Sequence, residues 1–262
     1  RDLHSFPTRR SSDLRNANRK RNDLKFYEFG NCYHYNAVDE QTAMNDPLRA
    51  YSEEQHLALW ITGNQAPQTW LRKEEKTSFY GLHSYVISIL RRIGVNIDRC
   101  KYEEINTELF SDGLRIIAPN GKELGFMAVV SRKLLKQFDT DNPVYFADLY
   151  WDQLLKQNKQ YKPVITDLPK FPEVRRDLAL LIDKSVKFSD IKNAAFETER
   201  KLLKEVFLFD VYEGKNLDFG KKSYAVAFIL QDTENTLKDK QIENIMSRLQ
   251  KTFETKLGAR LR

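Results

Sequence analysis

The sequence of 262 residues has few of the features that identify common protein classes. Its two cysteines, Cys32 and Cys100, favour a reducing compartment over a disulfide scaffold. No apolar run approaches the ~18 residues that a membrane-spanning helix needs, so no membrane association is expected. A Gly-rich phosphate loop, HExxH, CxxC and nucleophile motifs are missing, and no carboxylate pair stands out for acid–base chemistry. An independent enzyme is therefore the weakest hypothesis.

Histidine is confined to the first third of the chain, at His4, His34, His56 and His83. Cys32 and His34 lie two positions apart, on one face of a predicted strand. A metal site needs further ligands, and the sequence has none at a useful spacing from this pair. We interpret them as a packed thiol and a hydrogen-bonded imidazole, and expect no metal site.

The composition is that of a folded chain, and its charge is unevenly distributed along the sequence. Hydrophobic residues make up 41% and aromatic residues 12%, enough to bury a core. The net charge is +6, with +5 in residues 1–25, +4 in residues 168–262 and −3 between them. A mildly basic C-terminal region suits a polyanion such as RNA, although charge alone does not establish one.

Residues 1–14 follow neither a helical nor a strand period and are rich in Arg and Ser. Asp2 and Asp13 argue against a targeting peptide. The stretch resembles a translated sequencing-adapter remnant, so we expect it to be non-native or disordered. Without an initiator methionine, the chain is interpreted as a piece of a longer protein.

Residues 15–165 predict an antiparallel sheet with a flanking helix. Buried strands are expected at 24–36 and 56–62, and an amphipathic helix at 78–93 that ends at Gly94. Shorter strands are expected at 101–105, 113–118, 123–130 and 144–149, followed by a short helix at 150–157. Asn120 and Gly121 indicate a hairpin turn between two of these strands.

The linker at residues 158–172 contains Pro163, Pro169 and Pro172, which exclude a regular element across it. We therefore place a domain boundary near residue 166. Strand patterns at 174–182, 206–212, 223–231 and 259–262 alternate with helical patterns at 188–203 and 238–257. The order is β-α-β-β-α-β, a ferredoxin-like domain, so the whole chain is predicted to be α+β.

Both helices of such a domain pack on one face of its sheet, and side-chain parity predicts which residues face them. The residues expected on the helix side are Leu178, Leu180, Ile182, Val206, Leu208, Tyr224, Val226 and Phe228. Those expected on the other face are Arg175, Asp177, Phe207, Phe209, Ser223 and Ala225. Arg and aromatic groups on that face suit stacking of nucleic-acid bases. The alternative is that Phe207 and Phe209 pack against the neighbouring domain.

Four sequence blocks carry a family resemblance. They are residues 168–180 (LPKFPEVRRDLAL), 208–214 (LFDVYEG), 220–225 (GKKSYA) and 257–262 (LGARLR). In this order they resemble the ferredoxin-fold anticodon-binding domain that closes the β subunit of bacterial phenylalanyl-tRNA synthetases. Residues 24–157 resemble the end of the catalytic-like domain of the same subunit, most clearly at residues 26–30 (FYEFG).

The resemblance implies part of a cytoplasmic α2β2 ligase that joins phenylalanine to its tRNA with ATP and magnesium. In this family the aminoacylation site lies in the α subunit, so this chain is expected to be non-catalytic and to bind no cofactor. Its implied partners are the anticodon stem-loop of tRNA(Phe) and the α subunit. Arg132 is the nearest candidate for an arginine that clamps ATP. The alternative interpretation is that Arg132 is simply exposed on the surface of a helix.

The resemblance also implies residues that contact the anticodon arm. They are Arg175, Arg176, Phe209, Tyr212, Lys221, Lys222, Tyr224 and Arg260. The lysines would meet phosphates, and Arg175 with the rings would meet bases. By parity, Arg176 and Tyr224 fall on the helix side.

A second hypothesis is a stand-alone ferredoxin-like module that binds a small ligand or regulates another protein, without tRNA. That module would bind a metabolite in a complex insensitive to salt. The tRNA hypothesis predicts affinity for an RNA hairpin that falls steeply with salt.

Overall fold

The structure is a computed structural model, and it describes residues 22–36, 47–138, 140–158, 168–214 and 217–262. The stretch 1–14 that was expected to be non-native or disordered lies outside these residues. The chain divides into two compact units, Arg1–Pro163 (unit 1) and Val164–Arg262 (unit 2). Among the described residues, no helix has both the length and the apolar character needed to span a bilayer.

Unit 1 is built on an antiparallel sheet of six strands in the order β1-β2-β8-β7-β6-β5. Its strands are β1 (Leu24–Tyr35), β2 (Tyr51–Thr62), β5 (Lys101–Ile105), β6 (Phe110–Ile117), β7 (Glu123–Val130) and β8 (Val144–Tyr150). A separate two-stranded ribbon joins β3 (Asn64–Ala66) to β4 (Glu75–Lys76). The predicted hairpin is confirmed between β6 and β7, where Gly121 has φ of 79°, a value that a residue with a side chain rarely adopts.

The helices of unit 1 are α1 (Phe79–Ile93), α2 (Arg132–Gln137) and α3 (Trp151–Asn158), with 3-10 turns at Pro47–Ala50 and Ile97–Arg99. The Ser78 side chain caps the start of α1 by accepting a hydrogen bond from the Gly81 N–H, and Gly94 caps its end. The apolar stripe predicted for this helix is confirmed, because Leu82, Val86 and Leu90 are fully buried.

The prediction that residues 24–36 form a buried strand is wrong in one respect. β1 is a strand, but it lies at the edge of the sheet, and Tyr27, Phe29, Tyr33 and Tyr35 are exposed. Among the described residues, the buried cluster under α1 and α3 takes its strand residues from β2, β6, β7 and β8. Aromatic content therefore predicted the strand correctly and its burial incorrectly, because burial depends on which neighbouring elements cover it.

Unit 2 contains β9 (Val174–Asp183), α4 (Phe188–Thr198), β10 (Leu203–Tyr212), β11 (Lys221–Leu230), α5 (Asp239–Leu257) and β12 (Arg260–Leu261). The sheet order is β10-β11-β9-β12, with every pair antiparallel. This is the predicted β-α-β-β-α-β arrangement, so the ferredoxin-like fold is confirmed.

The core of unit 2 lies between α4, α5 and one face of the sheet. Its fully buried members include Ile182, Val226 and Phe228 from the strands and Leu249 and Phe253 from α5. The rings of Phe228 and Phe253 stack with their centroids 5.8 Å apart. The predicted helix side is confirmed, because all eight hydrophobic residues assigned to it by parity belong to this cluster or pack against it.

Helix α4 is shorter than predicted, since it ends at Thr198 and not at residue 203. The Glu199 carboxylate accepts hydrogen bonds from the backbone N–H groups of Lys201 and Leu202, at 3.1 and 3.2 Å. It also accepts one from Arg248 of α5, at 3.3 Å. These bonds hold a turn at which the chain leaves the helix, and β10 begins directly after it at the buried Leu203.

Candidate nucleic-acid interface

The face of the unit 2 sheet opposite α4 and α5 is called the open face below. In the pairing of β9 with β11, Arg175 lies opposite Ile229, Asp177 opposite Ala227 and Ala179 opposite Ala225. Small residues therefore occupy the middle of this face, and larger charged and aromatic residues surround them. The residues that define the open face are Arg175, Asp177, Ala179, Leu181, Asp183, Glu205, Phe207, Phe209, Asp210, Tyr212, Lys221, Ser223, Ala225, Ala227, Ile229, Arg260 and Arg262.

A bulge in β10 determines on which face of the sheet its last residues lie. Leu208 pairs with Val226, but the next pair along is Asp210 with Ala225, so Phe209 is the extra residue. Under strict alternation Tyr212 would share the helix side with Leu208. After the bulge, Tyr212 pairs with Ser223 and lies on the open face.

Arg175 lies over two aromatic rings at one end of the open face. Its guanidinium carbon is 5.2 Å from the centroid of Phe207 and 5.0 Å from that of Phe209. The guanidinium donates two hydrogen bonds to Asp177, at 2.8 and 3.2 Å, and they raise the pKa of Arg175. Phe209 is 49% exposed, so part of this stacked group remains available to a ligand.

A second guanidinium and ring meet towards the other end. The Arg262 guanidinium carbon is 5.1 Å from the ring centroid of Tyr212. These residues belong to opposite edges of the sheet, because Arg262 follows β12 and Tyr212 ends β10. The contact therefore extends across β9 and β11, in the region where the Ser223 side chain is buried.

Two further predicted contacts, Lys221 and Arg260, also lie at this end. The Lys221 ammonium is 2.9 Å from the Asp183 carboxylate, and the two residues pair where β11 starts and β9 ends. Arg260 is exposed and pairs with Leu181 of β9, which is opposite Ser223. The structure thus brings together on one face five predicted residues: Arg175, Phe209, Tyr212, Lys221 and Arg260.

The remaining three predicted residues lie elsewhere in unit 2. Arg176 is on the helix side, with its guanidinium 4.0 Å from Asp239 at the start of α5. Lys222 is 7% exposed and donates to the Lys184 carbonyl at 3.0 Å, with its ammonium 4.6 Å from the centroid of the buried Tyr224 ring. Their contacts with RNA stay predictions, and the structure places these side chains away from the other five.

Sequence reasoning missed Arg262 and Asp210 as members of the open face. Arg262 could have been found, because it is two positions from Arg260 and strand neighbours at that spacing share a face. Asp210 could not, because its position depends on the bulge at Phe209, and no residue in that stretch signals one.

Unit 1 contains a different polar cluster. The His56 Nδ1–H donates to both oxygens of Asp148, at 2.9 and 3.0 Å, and Glu54 is 3.8 Å from Nε2. The hydrogen bond to Asp148 raises the pKa of His56, and the charges of Asp148 and Glu54 add to this effect against desolvation. Within the described residues, no three His, Cys, Asp or Glu side chains are grouped to hold a metal ion. Arg132, the candidate for an ATP clamp, is the exposed first residue of α2.

Comparison with family models gives two matches. Residues 169–262 match the ferredoxin-fold anticodon binding domain, and residues 13–151 match the phenylalanyl tRNA synthetase beta chain CLM domain. The second match alone covers more than half of the chain. The two matches fall on unit 2 and unit 1, respectively.

Three curated relatives are named phenylalanine–tRNA ligase beta subunit. The chain is 51% identical over 247 residues to the phenylalanine–tRNA ligase beta subunit of Bacteroides fragilis, and 49% and 44% identical to those of Bacteroides thetaiotaomicron and Porphyromonas gingivalis. Each alignment covers 94% of this chain and 30% of the relative, so the chain spans about a third of the relatives' length. A solved pyrrolysyl-tRNA synthetase from Desulfitobacterium hafniense has a TM-score of 0.41 and 14% identity over 60% of this chain and 49% of that one.

Proposed function

Because the chain belongs to the phenylalanyl-tRNA synthetase beta chain family, we propose that its unit 2 binds the anticodon stem-loop of tRNA(Phe) on the open face. One observation carries this proposal: guanidinium groups lie on aromatic rings at two places on the open face, which faces away from both described helices of unit 2. Arg175 covers Phe207 and Phe209, and Arg262 covers Tyr212. Such groups hold unpaired bases by stacking and phosphates by charge.

The geometry supports a division of roles among these residues. Phe209 presents a partly exposed ring on which an unpaired base can stack, next to a guanidinium whose orientation Asp177 fixes. Tyr212 and Arg262 offer a similar surface near Ser223. Arg260 and Lys221 are cations at the same end and would contact phosphates. Small residues between the two ends leave room for the RNA.

The wider role follows from the family. We propose that this chain forms part of a cytoplasmic α2β2 ligase in which the α subunit joins phenylalanine to tRNA(Phe) with ATP and Mg²⁺. The names of the relatives support this role. In this proposal the chain performs no chemistry, and its contribution is to hold the tRNA in position for the α subunit.

Binding of the whole chain to an RNA hairpin with the tRNA(Phe) anticodon loop tests the proposal. Fluorescence anisotropy at two salt concentrations should show affinity for the hairpin that falls with salt, because Lys and Arg displace counterions from phosphates. A fully paired RNA of equal length should bind more weakly, since its bases cannot stack on the rings. Equal affinity for both RNAs, or no binding to either, would contradict the proposal.

A further inference from the structure

One exposed phenylalanine of unit 2 lies outside both its core and its open face. Phe219 lies in the connection between β10 and β11, and its relative exposure is 107%, so the whole ring is in solvent. Burying a phenylalanine side chain stabilises a fold, and Phe219 contributes no such stabilisation. A fully exposed ring of this size is informative when the backbone holds it in place, because the chain then presents it rigidly.

The backbone around Phe219 is held at two points. The Lys221 N–H donates to the Asp218 carbonyl at 3.0 Å, which closes a four-residue turn with Phe219 and Gly220 at its centre. Gly220 has φ of 80°, the value that the third position of a type II turn requires. In addition, the Lys184 N–H donates to the Gly220 carbonyl at 3.0 Å and ties the turn to the end of β9.

This turn adjoins the open face. It leads directly into Lys221, the first residue of β11, which pairs with Asp183 at the end of β9. On the neighbouring strand, Tyr212 is the last residue of β10 and pairs with Ser223. Phe219 therefore lies at the end of the sheet where Tyr212, Arg260 and Lys221 are found, and opposite to the end with Arg175.

We propose that Phe219 is an additional stacking site for one unpaired nucleotide of the bound RNA, beyond the edge of the open face. This inference rests on the proposed function. Phe219 lies outside the four sequence blocks that carry the resemblance, and neither family match gives it a role. An exposed ring suits any base, because every base has a π face. Continuity with the cations and rings of the open face favours RNA over an apolar protein pocket as the occupant.

The test compares three single variants of the whole chain in binding to the anticodon hairpin. Phe219→Ala should weaken binding roughly 5- to 150-fold, the range found when one stacking residue is truncated. Its dependence on salt should match the wild type, because no charge is removed. Phe219→Trp should retain the affinity. Trp70→Ala is the matched control, since Trp70 is 96% exposed in unit 1 and should leave binding unchanged.

Fluorescence separates direct contact from an indirect effect. The three native tryptophans all lie in unit 1, at positions 60, 70 and 151. The emission that Phe219→Trp adds to the wild-type signal should be quenched by the hairpin and not by fully paired RNA. If Phe219→Ala binds the hairpin with wild-type affinity while Arg175→Ala binds it more weakly, this inference is overturned and the proposed function stays intact. Absence of hairpin binding by the wild type would overturn both.

Discussion

Arg175 and Asp177 lie two positions apart on one face of β9 and share two hydrogen bonds, of 2.8 and 3.2 Å. The paired geometry fixes the plane of the guanidinium, which a single bond would not do. It also keeps the guanidinium against the rings of Phe207 and Phe209. The arginine is therefore oriented before any ligand arrives, so binding RNA does not have to order it.

Replacing Arg175 should weaken RNA binding specifically. Arg175→Ala is expected to cost about 1–3 kcal/mol of affinity for the anticodon hairpin if the guanidinium contacts a base. Lys251→Ala is the control, because Lys251 is an exposed cation on α5, on the opposite side of the unit. Anisotropy titrations of both variants check the prediction. Equal losses would mean that only net charge matters.

Asp177 should affect selectivity more than affinity. Asp177→Asn removes a negative charge from the open face and releases Arg175 from its fixed orientation. We expect fully paired RNA to bind up to a few-fold tighter, because repulsion of phosphates decreases. The ratio of hairpin to paired-RNA affinity should fall, because the guanidinium is no longer oriented. An unchanged ratio would show that Asp177 does not position Arg175 for binding.

Two phenylalanines of unit 2 should differ sharply in their effect on stability. Phe253 is fully buried and stacks on Phe228, so Phe253→Ala should cost about 3–5 kcal/mol of unfolding free energy. Phe219→Ala should change it by less than about 0.5 kcal/mol, because the ring is in solvent. Urea unfolding followed by circular dichroism measures both. A large loss in Phe219→Ala would mean that the ring has a structural role.

The stability of unit 1 should depend on pH through His56. Its pKa in the folded chain is raised above the ordinary value of 6.5, chiefly by the hydrogen bond to Asp148. The protonated imidazole therefore stabilises the fold fully below about pH 6.5, and this contribution is lost as the pH rises through the folded pKa. Burial lowers the pKa of His83. This histidine therefore destabilises the fold as the pH falls, because the unfolded chain binds its proton more readily.

The difference between wild type and His56→Gln isolates the first histidine. Tryptophan fluorescence during urea unfolding reports on unit 1, which holds all three tryptophans. The stability difference should be largest in mildly acidic buffer and should decrease above pH 6.5. A stability difference that is constant or grows with rising pH would contradict a raised pKa of His56 in the folded chain.

The fold of unit 2 was predictable because its sequence follows strand and helix periods closely. In β9, Leu178, Leu180 and Ile182 recur at every second position, and this spacing placed Arg175 and Asp177 on the other face. The predicted end of the last helix at residue 257 is confirmed, because Gly258 caps α5 in the left-handed conformation.

The errors arose where contacts distant in sequence decide the structure. α4 ends at Thr198, and the Glu199 side chain that follows it accepts a hydrogen bond from Arg248, almost 50 residues away in the sequence. The bulge at Phe209 reverses the parity of β10 and turns Tyr212 to the open face. The contact of Arg262 with Tyr212 connects opposite edges of the sheet. A local pattern contains no information on any of these three features.

Photo-crosslinking tests most directly whether the open face holds the anticodon arm. p-Benzoylphenylalanine would replace Phe209 on the open face in one variant and Lys251 on α5 in another, and each would be irradiated with tRNA(Phe). We expect crosslinks from position 209 to anticodon-loop nucleotides, and none to those nucleotides from position 251. Anticodon-loop crosslinks from position 251 alone, or equally from both positions, would contradict it.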